Sequence, residues 1–134
     1  MKELTIEAVS ENIDLVTDFI NEQLDEIDCP MKLQVKIDIA VDEIFGNIAH
    51  YAYAPNTGQV TVRVELTEEP SVIITFFDNG IPYDPTAKAD PDITLSIEDR
   101  EIGGLGIYMV KKSMDEVSYE YKDGQNILII KKNL

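Results

Sequence analysis

The chain has 134 residues, 44% hydrophobic and 28% charged, enough for one domain with one buried core. Its 11 Lys and Arg against 26 Asp and Glu leave a formal net charge of -15, which argues against nucleic acid or anionic lipid as a direct partner, since both are held mainly by clustered basic side chains. A single cysteine, Cys29, excludes an internal disulfide scaffold and a cysteine-built zinc cluster.

The N-terminal stretch carries acids from Glu3 onward and lacks the apolar run of a signal peptide. No stretch approaches the roughly 20 apolar residues of a spanning helix. The expectation is one soluble, reduced, cytoplasmic domain over residues 1–134, with no membrane contact.

Residues 2–8 alternate, with Leu4, Ile6 and Ala8 on one side, and predict a short strand at a sheet edge. Ser10 reads as an N-cap. Beyond it Ile13, Val16, Ile20, Leu24 and Ile27 recur at spacings of three and four, the stripe of an amphipathic helix. The opposite face is acidic throughout: Glu11, Asp14, Asp18, Glu22, Asp25, Glu26 and Asp28. A solvated face and a docking surface for a basic partner are both open.

Pro30 suits the first turn of a second helix. Residues 33–39 alternate as a strand would, yet Leu33, Ile37, Val41, Ile44 and Ile48 also form a helical stripe reaching about His50. Strands follow over 59–67 and 71–78. An irregular stretch over about 79–103 holds Pro82, Pro85 and Pro91, and its length suits a functional lid or a disordered segment. A helix over roughly 105–113 comes next, then a hairpin of 116–122 and 125–132 turning at Asp123-Gly124. Hairpin neighbours dominate this order, so the fold class expected is α/β (α+β): a two-layer sandwich, its sheet mixed but mostly antiparallel, with helices on one face.

Three groups of residues can carry chemistry. Glu43 and Asn47, four apart on a helix, share one face. A carboxylate and a carboxamide so placed can hold a metal or polarise a hydroxyl, or be a solvated pair. Asp78, ending the apolar run VIITFF before Asn79-Gly80, can offer its carboxylate to an exocyclic amine such as that of adenine, or form an ordinary Asx-turn. Gly103, Gly104, Leu105 and Gly106 open a helix, where free amides and the positive end of the dipole bind anions, although glycines also serve plain helix entry. Backbone donors with Mg²⁺ would let so acidic a chain bind a triphosphate without a basic patch.

The ordered set is more specific than its parts. A Glu-xxx-Asn helix, an Asp-x-Gly after an apolar strand, a lid and a Gly-Gly-Leu-Gly helix entry together resemble the GHKL (histidine kinase-like) ATPase superfamily. The wording at 79–85 (NGIPYDP) and 103–112 (GGLGIYMVKK) is similar to the anti-sigma-factor serine/threonine protein kinases of that superfamily. The resemblance implies that Asn47 reaches the Mg²⁺ bridging the phosphates of ATP, and that Asp78 takes the adenine amino group while Gly80 lets the base pack closely. It implies that Gly103, Gly104, Leu105 and Gly106 cradle phosphate, that Arg100 touches the γ-phosphate, and that Glu43 orients or deprotonates the attacking hydroxyl. That hydroxyl would belong to an anti-anti-sigma (STAS-domain) partner, with a sigma factor as the second partner; a homodimer is compatible with the likeness.

Two departures stand out. Relatives often place a His before the Ala-Tyr that follows the Asn motif; here Tyr51 holds that place and His50 lies one position earlier. Relatives often begin the last hairpin strand with Gly-Thr, and this chain has Gly124-Gln125-Asn126, which leaves that contact open. Against the kinase reading stand a nucleotide-binding regulatory module without phosphoryl transfer and a structural domain in which the motifs are packing accidents.

Overall fold

Apolar alternation and helical periodicity resolve into one sheet covered by three helices in the computed structural model, which describes residues 1–87 and 104–134. Strand β1 (Lys2–Glu7) leads through a 3₁₀ turn (Ser10–Asn12) into helix α1 (Ile13–Glu26) and helix α2 (Met31–Asn47). Strands β2 (Gln59–Thr67) and β3 (Ser71–Asp78) follow, then helix α3 (Gly104–Ser113) and the hairpin β4 (Glu116–Lys122) and β5 (Gln125–Asn133). The sheet order is β1-β2-β3-β5-β4, and all four pairings among the described residues are antiparallel, so the α+β sandwich is as expected and its sheet, expected to be mixed, shows no parallel pair there.

Several boundaries shift. Ser10 does not cap α1: it begins the 3₁₀ turn, and Asn12 takes the cap position with its side chain turned back to the Glu7 carbonyl. Pro30 precedes α2 as its cap residue, because its extended backbone starts the helix one residue later. Residues 33–39 are helical, since Ile37, Ala40, Val41 and Ile44 make a buried stripe whereas Val35 and Ile39 stay exposed. The helix does not run regularly to His50; after Asn47 it widens into a π turn over Ile48–Ala52. Helix α3 starts one residue earlier than its periodicity predicts, at Gly104. The Asp123-Gly124 turn has φ of 54° and 79°, the left-handed pair that a two-residue hairpin requires.

Packing follows strand phase. Val60, Val62 and Val64 on β2, Val72, Ile74 and Phe76 on β3, and Leu128 and Ile130 on β5 are buried against Val16, Ile20 and Leu24 of α1 and the stripe of α2. Each such side chain contributes about 1.5–3 kcal/mol on leaving water. The registers Ile74↔Ile130, Phe76↔Leu128 and Asp78↔Asn126 stack the core rows of the two central strands side by side. Asp78 and Asn126 are therefore the polar ends of apolar rows, held on the helix side of the sheet. The seven acids from Glu11 to Asp28 are all exposed, so α1 turns its charged face outward. Among the described residues no helix is long and apolar enough to cross a membrane.

Candidate functional site

Where the central strands end under the π turn, a cleft of about 510 Å³ opens. Asn47 and Ile48 line it from α2 and the π turn, Asp78 and Asn126 from the strand ends, Ile81 and Tyr83 from the segment after β3, and Ile107 from the first turn of α3. The fold thus brings Asn47 and Asp78, far apart in sequence, to one cavity.

The Asp78 end is densely bonded. Asp78 is 5% exposed and its Oδ1 accepts the Gly80 amide at 2.9 Å, so the expected Asx-turn is present and forms part of the cleft wall. The Asn126 amide donates to the same Oδ1 at 2.9 Å. Asn79 N–H donates to the Tyr53 hydroxyl at 2.8 Å, and that hydroxyl donates to the Gln59 carbonyl at 2.6 Å. Burial pushes the Tyr53 phenol above its ordinary range, with Asp78 adding to the rise, so it stays a donor. Ile81 N–H reaches the Ala52 carbonyl at 3.0 Å.

Gly80 is required here by contact rather than by base packing alone. A Cβ on it would collide with the Ala52 carbonyl oxygen and the Ala52 side chain. Tyr53 and Ala52 escaped the sequence reading, because their contacts form only once the π turn lies beside the strand ends. Asn126, left open above, sits at the centre of the bonds. Its signal was faint but present: it is the polar residue in phase with Leu128 and Ile130.

The Glu43 end is looser. Asn47 Nδ2 donates to Glu43 Oε1 at 3.4 Å, the long single bond of the same-face pair. That leaves the oxygen end of the Asn47 carboxamide for a hard cation such as Mg²⁺. The Glu43 carboxylate lies against Gly106 so closely that a Cβ there would overlap it. Glu43 and Asn47 also line a smaller hollow of about 300 Å³ with Ser10, Asp42 and the exposed His50. Gly104 and Leu105 begin α3, whose first-turn amides have no intrahelical acceptor and carry the positive end of the dipole. Arg100 and Gly103 lie outside the described residues, as does the expected lid beyond Ala87. Among the described residues no group of three or more His, Cys, Asp or Glu is arranged to hold a metal. A cation at Asn47 would therefore draw most of its ligands from phosphate and water.

Comparison with known proteins agrees with this geometry. Residues 6–132 match the histidine kinase-like ATPase domain. The serine/threonine-protein kinase BtrW of Bordetella bronchiseptica is 29% identical over 100 residues, 74% of this chain and 70% of that protein. The serine-protein kinase RsbW of Bacillus cereus is 31% identical over 97 residues, 69% of this chain and 60% of that protein. RsbW of Bacillus mycoides is 30% identical over the same length. The chain thus spans about 60% of the RsbW proteins it matches. With the family model covering nearly its whole length, this chain belongs to the histidine kinase-like ATPase domain family.

Proposed function

We propose that this single domain binds ATP with Mg²⁺ and transfers phosphate to a serine or threonine of an anti-anti-sigma STAS-domain protein, sequestering a sigma factor as its second activity. The observation that carries this reading is the meeting of Asp78, Asn47 and the start of α3 at one cleft, with Glu43 bonded to Asn47. The printed kinase names of the relatives support it.

Asp78 accepts the adenine amino group, and Ile48, Ile81 and Ile107 exclude water around the base. The first-turn amides of α3, with Gly103 before them, bind phosphate oxygens. Arg100 meets the γ-phosphate. Asn47 holds the cation with its carboxamide oxygen; the metal, when bound, neutralises charge on the phosphates. Glu43 orients the partner's hydroxyl and takes its proton. Catalysis is then positioning and charge stabilisation, with little covalent work for the protein. The net charge of -15 accords with a cytoplasmic protein that contacts neither nucleic acid nor membrane directly. The exposed acidic face of α1 is available to a basic region of a partner, and a homodimer remains compatible.

A second reading has one observation in its favour. The Glu43 carboxylate is already hydrogen-bonded by Asn47 and pressed against Gly106, which suits a nucleotide-binding regulatory module without phosphoryl transfer. Incubation with γ-labelled ATP, Mg²⁺ and the STAS protein encoded by a neighbouring gene separates the two. The kinase reading expects label on the STAS protein; ATP binding with no transfer leaves the regulatory module. Equal melting curves with and without millimolar Mg-ATP would sink both, because a ligand of the folded state alone raises the melting temperature.

A further inference from the structure

We infer that Asn126 is a positioning residue that makes Asp78 a one-oxygen acceptor and pins residues 80–83 after β3, so that base selectivity and the anchoring of that segment share one side chain. The inference rests on the ATP reading above.

Asn126 is 7% exposed and nearly saturates its bonding capacity. Its Nδ2 donates to Asp78 Oδ1 at 2.9 Å, to the Ile81 carbonyl at 2.9 Å and, more weakly, to the Gly80 carbonyl at 3.4 Å. Its Oδ1 accepts the Tyr83 amide at 3.1 Å and the Tyr119 hydroxyl. One carboxamide therefore ties together β3, β5, β4 and residues 80–83.

Two consequences follow from the chemistry. Asp78 Oδ1 accepts both the Asn126 amide and the Gly80 N–H, so the carboxylate cannot rotate freely. Among the described residues Oδ2 accepts no hydrogen bond, and Asp78 lines the cleft. A single fixed acceptor matches a base with an amino group at that edge and repels one with a carbonyl there. Adenine is taken and hypoxanthine refused. Second, the amides of Asn79, Gly80, Ile81 and Tyr83 all find acceptors, on Tyr53, Asp78, Ala52 and Asn126 respectively. The fixed wall of the cleft thus extends to Tyr83.

A hydroxyl in place of the carboxamide could donate once to Asp78 but could not also span Ile81 and Tyr83. Asn126→Thr therefore separates the two roles, and Asn126→Ala removes both. The test measures binding of ATP and inosine triphosphate to wild type and both variants, and hydrogen exchange of the Gly80, Ile81 and Tyr83 amides without nucleotide. Asn126→Ala is expected to bind ATP about tenfold to a hundredfold more weakly, the loss of a hydrogen bond to a charged group. Its preference for ATP over inosine triphosphate should narrow, because a released carboxylate can turn to accept the N1–H of hypoxanthine. Asn126→Thr should keep the preference, while in both variants the Tyr83 amide, whose acceptor is Asn126, exchanges about tenfold faster or more. Should Asn126→Ala fail to fold, the Thr variant still decides the matter: wild-type exchange at Tyr83 would overturn the anchoring role. Equal weakening of both nucleotides in Asn126→Ala would overturn the selectivity role alone. Wild-type protein that binds neither nucleotide overturns instead the ATP reading beneath it.

Discussion

The two ends of the cleft are built to different standards. At the base end Asp78, Gly80, Tyr53 and Asn126 form a closed network of short hydrogen bonds with Asp78 and Asn126 buried. At the Glu43 end Glu43 and Asn47 share one 3.4 Å bond, and the Glu43 carboxylate lies close against Gly106. A site that must recognise one base benefits from rigidity before the ligand arrives, since preorganised groups lose little entropy on binding. A site that must hold a cation, three phosphates and a visiting hydroxyl needs side chains that can still be rearranged. On the proposed ATP reading, the difference suits recognition at the strand ends and chemistry at the helices.

The sharpest way to break this division is at Glu43. Glu43→Ala should leave ATP affinity near wild type and slow phosphate transfer by about a hundredfold to ten-thousandfold, the usual loss of a positioned general base. Steady-state transfer to the partner, alongside equilibrium ATP binding, checks it. A transfer rate at the native level refutes the base assignment, and a collapse of binding would place recognition at both ends. Asp78→Ala is the mirror experiment. It should weaken ATP by about tenfold to a hundredfold, as expected for one charged hydrogen bond, with any residual transfer recovering at saturating nucleotide. An unchanged dissociation constant would remove Asp78 from base recognition.

Two glycines sharpen the contrast through stability. At Gly80 the added methyl meets the Ala52 backbone carbonyl, which cannot step aside. Gly80→Ala should lower stability by about 1–3 kcal/mol, the range for overpacking, as a fall in the urea midpoint. At Gly106 the atoms nearest the same methyl are those at the end of the Glu43 side chain. Gly106→Ala should melt close to wild type yet transfer poorly, because the displaced carboxylate no longer faces the acceptor. If Gly106→Ala proves as unstable as Gly80→Ala, the phosphate end is as rigid as the base end.

The same division governs how much the chain's residues reveal before any coordinates. The Glu43–Asn47 spacing and the glycine run are local patterns, legible because a helix turn fixes which residues share a face. The sheet was legible in outline from alternation and from Asp123-Gly124; the β2–β3 and β4–β5 pairs follow from their hairpins, whereas the β1–β2 and β3–β5 pairs do not. Asn126 was not legible as a partner of Asp78, because that pairing depends on the β3–β5 register, set across a long intervening segment. Its phase with Leu128 and Ile130 is visible, but Ile127 and Ile129 make the other phase equally apolar, so alternation does not say which face is buried. Residues 33–39 posed the same difficulty, and tertiary burial of Ile37, Ala40 and Val41 decided it. Tyr53 was hidden for a related reason: its hydroxyl bridges Asn79 and Gln59, a contact that exists only once the π turn has laid it beside the strands.

The fully buried side-chain oxygens that lack a partner among the described residues lie at the seam between α1 and α2, not at the cleft. Asn21 Nδ2 donates to Asp38 Oδ2 at 3.3 Å, and the remaining oxygens, Asn21 Oδ1 and Asp38 Oδ1, are buried without donors. A proton on Asp38 would supply one, closing a cyclic acid–amide pair. Burial raises the Asp38 carboxyl above its ordinary 3.8, the Asn21 bond opposes the rise, and Asp25 adds to it. The sign follows from linkage: above 3.8 the unfolded chain has shed this proton while the folded chain keeps it, so rising pH costs stability until the raised value is passed. Asp38→Asn places a permanent N–H where the proton would be. Expected is a gain of about 1 kcal/mol at neutral pH, the net value of one hydrogen bond, and a flatter stability profile above the ordinary carboxyl range. ATP affinity should not move, since Asp38 lines neither the cleft nor the hollow beside Glu43. Urea titrations at several pH values read the first effect. A variant that is less stable than wild type at neutral pH would show that Asp38 is held ionised, and that the helix seam tolerates what the base end of the cleft does not.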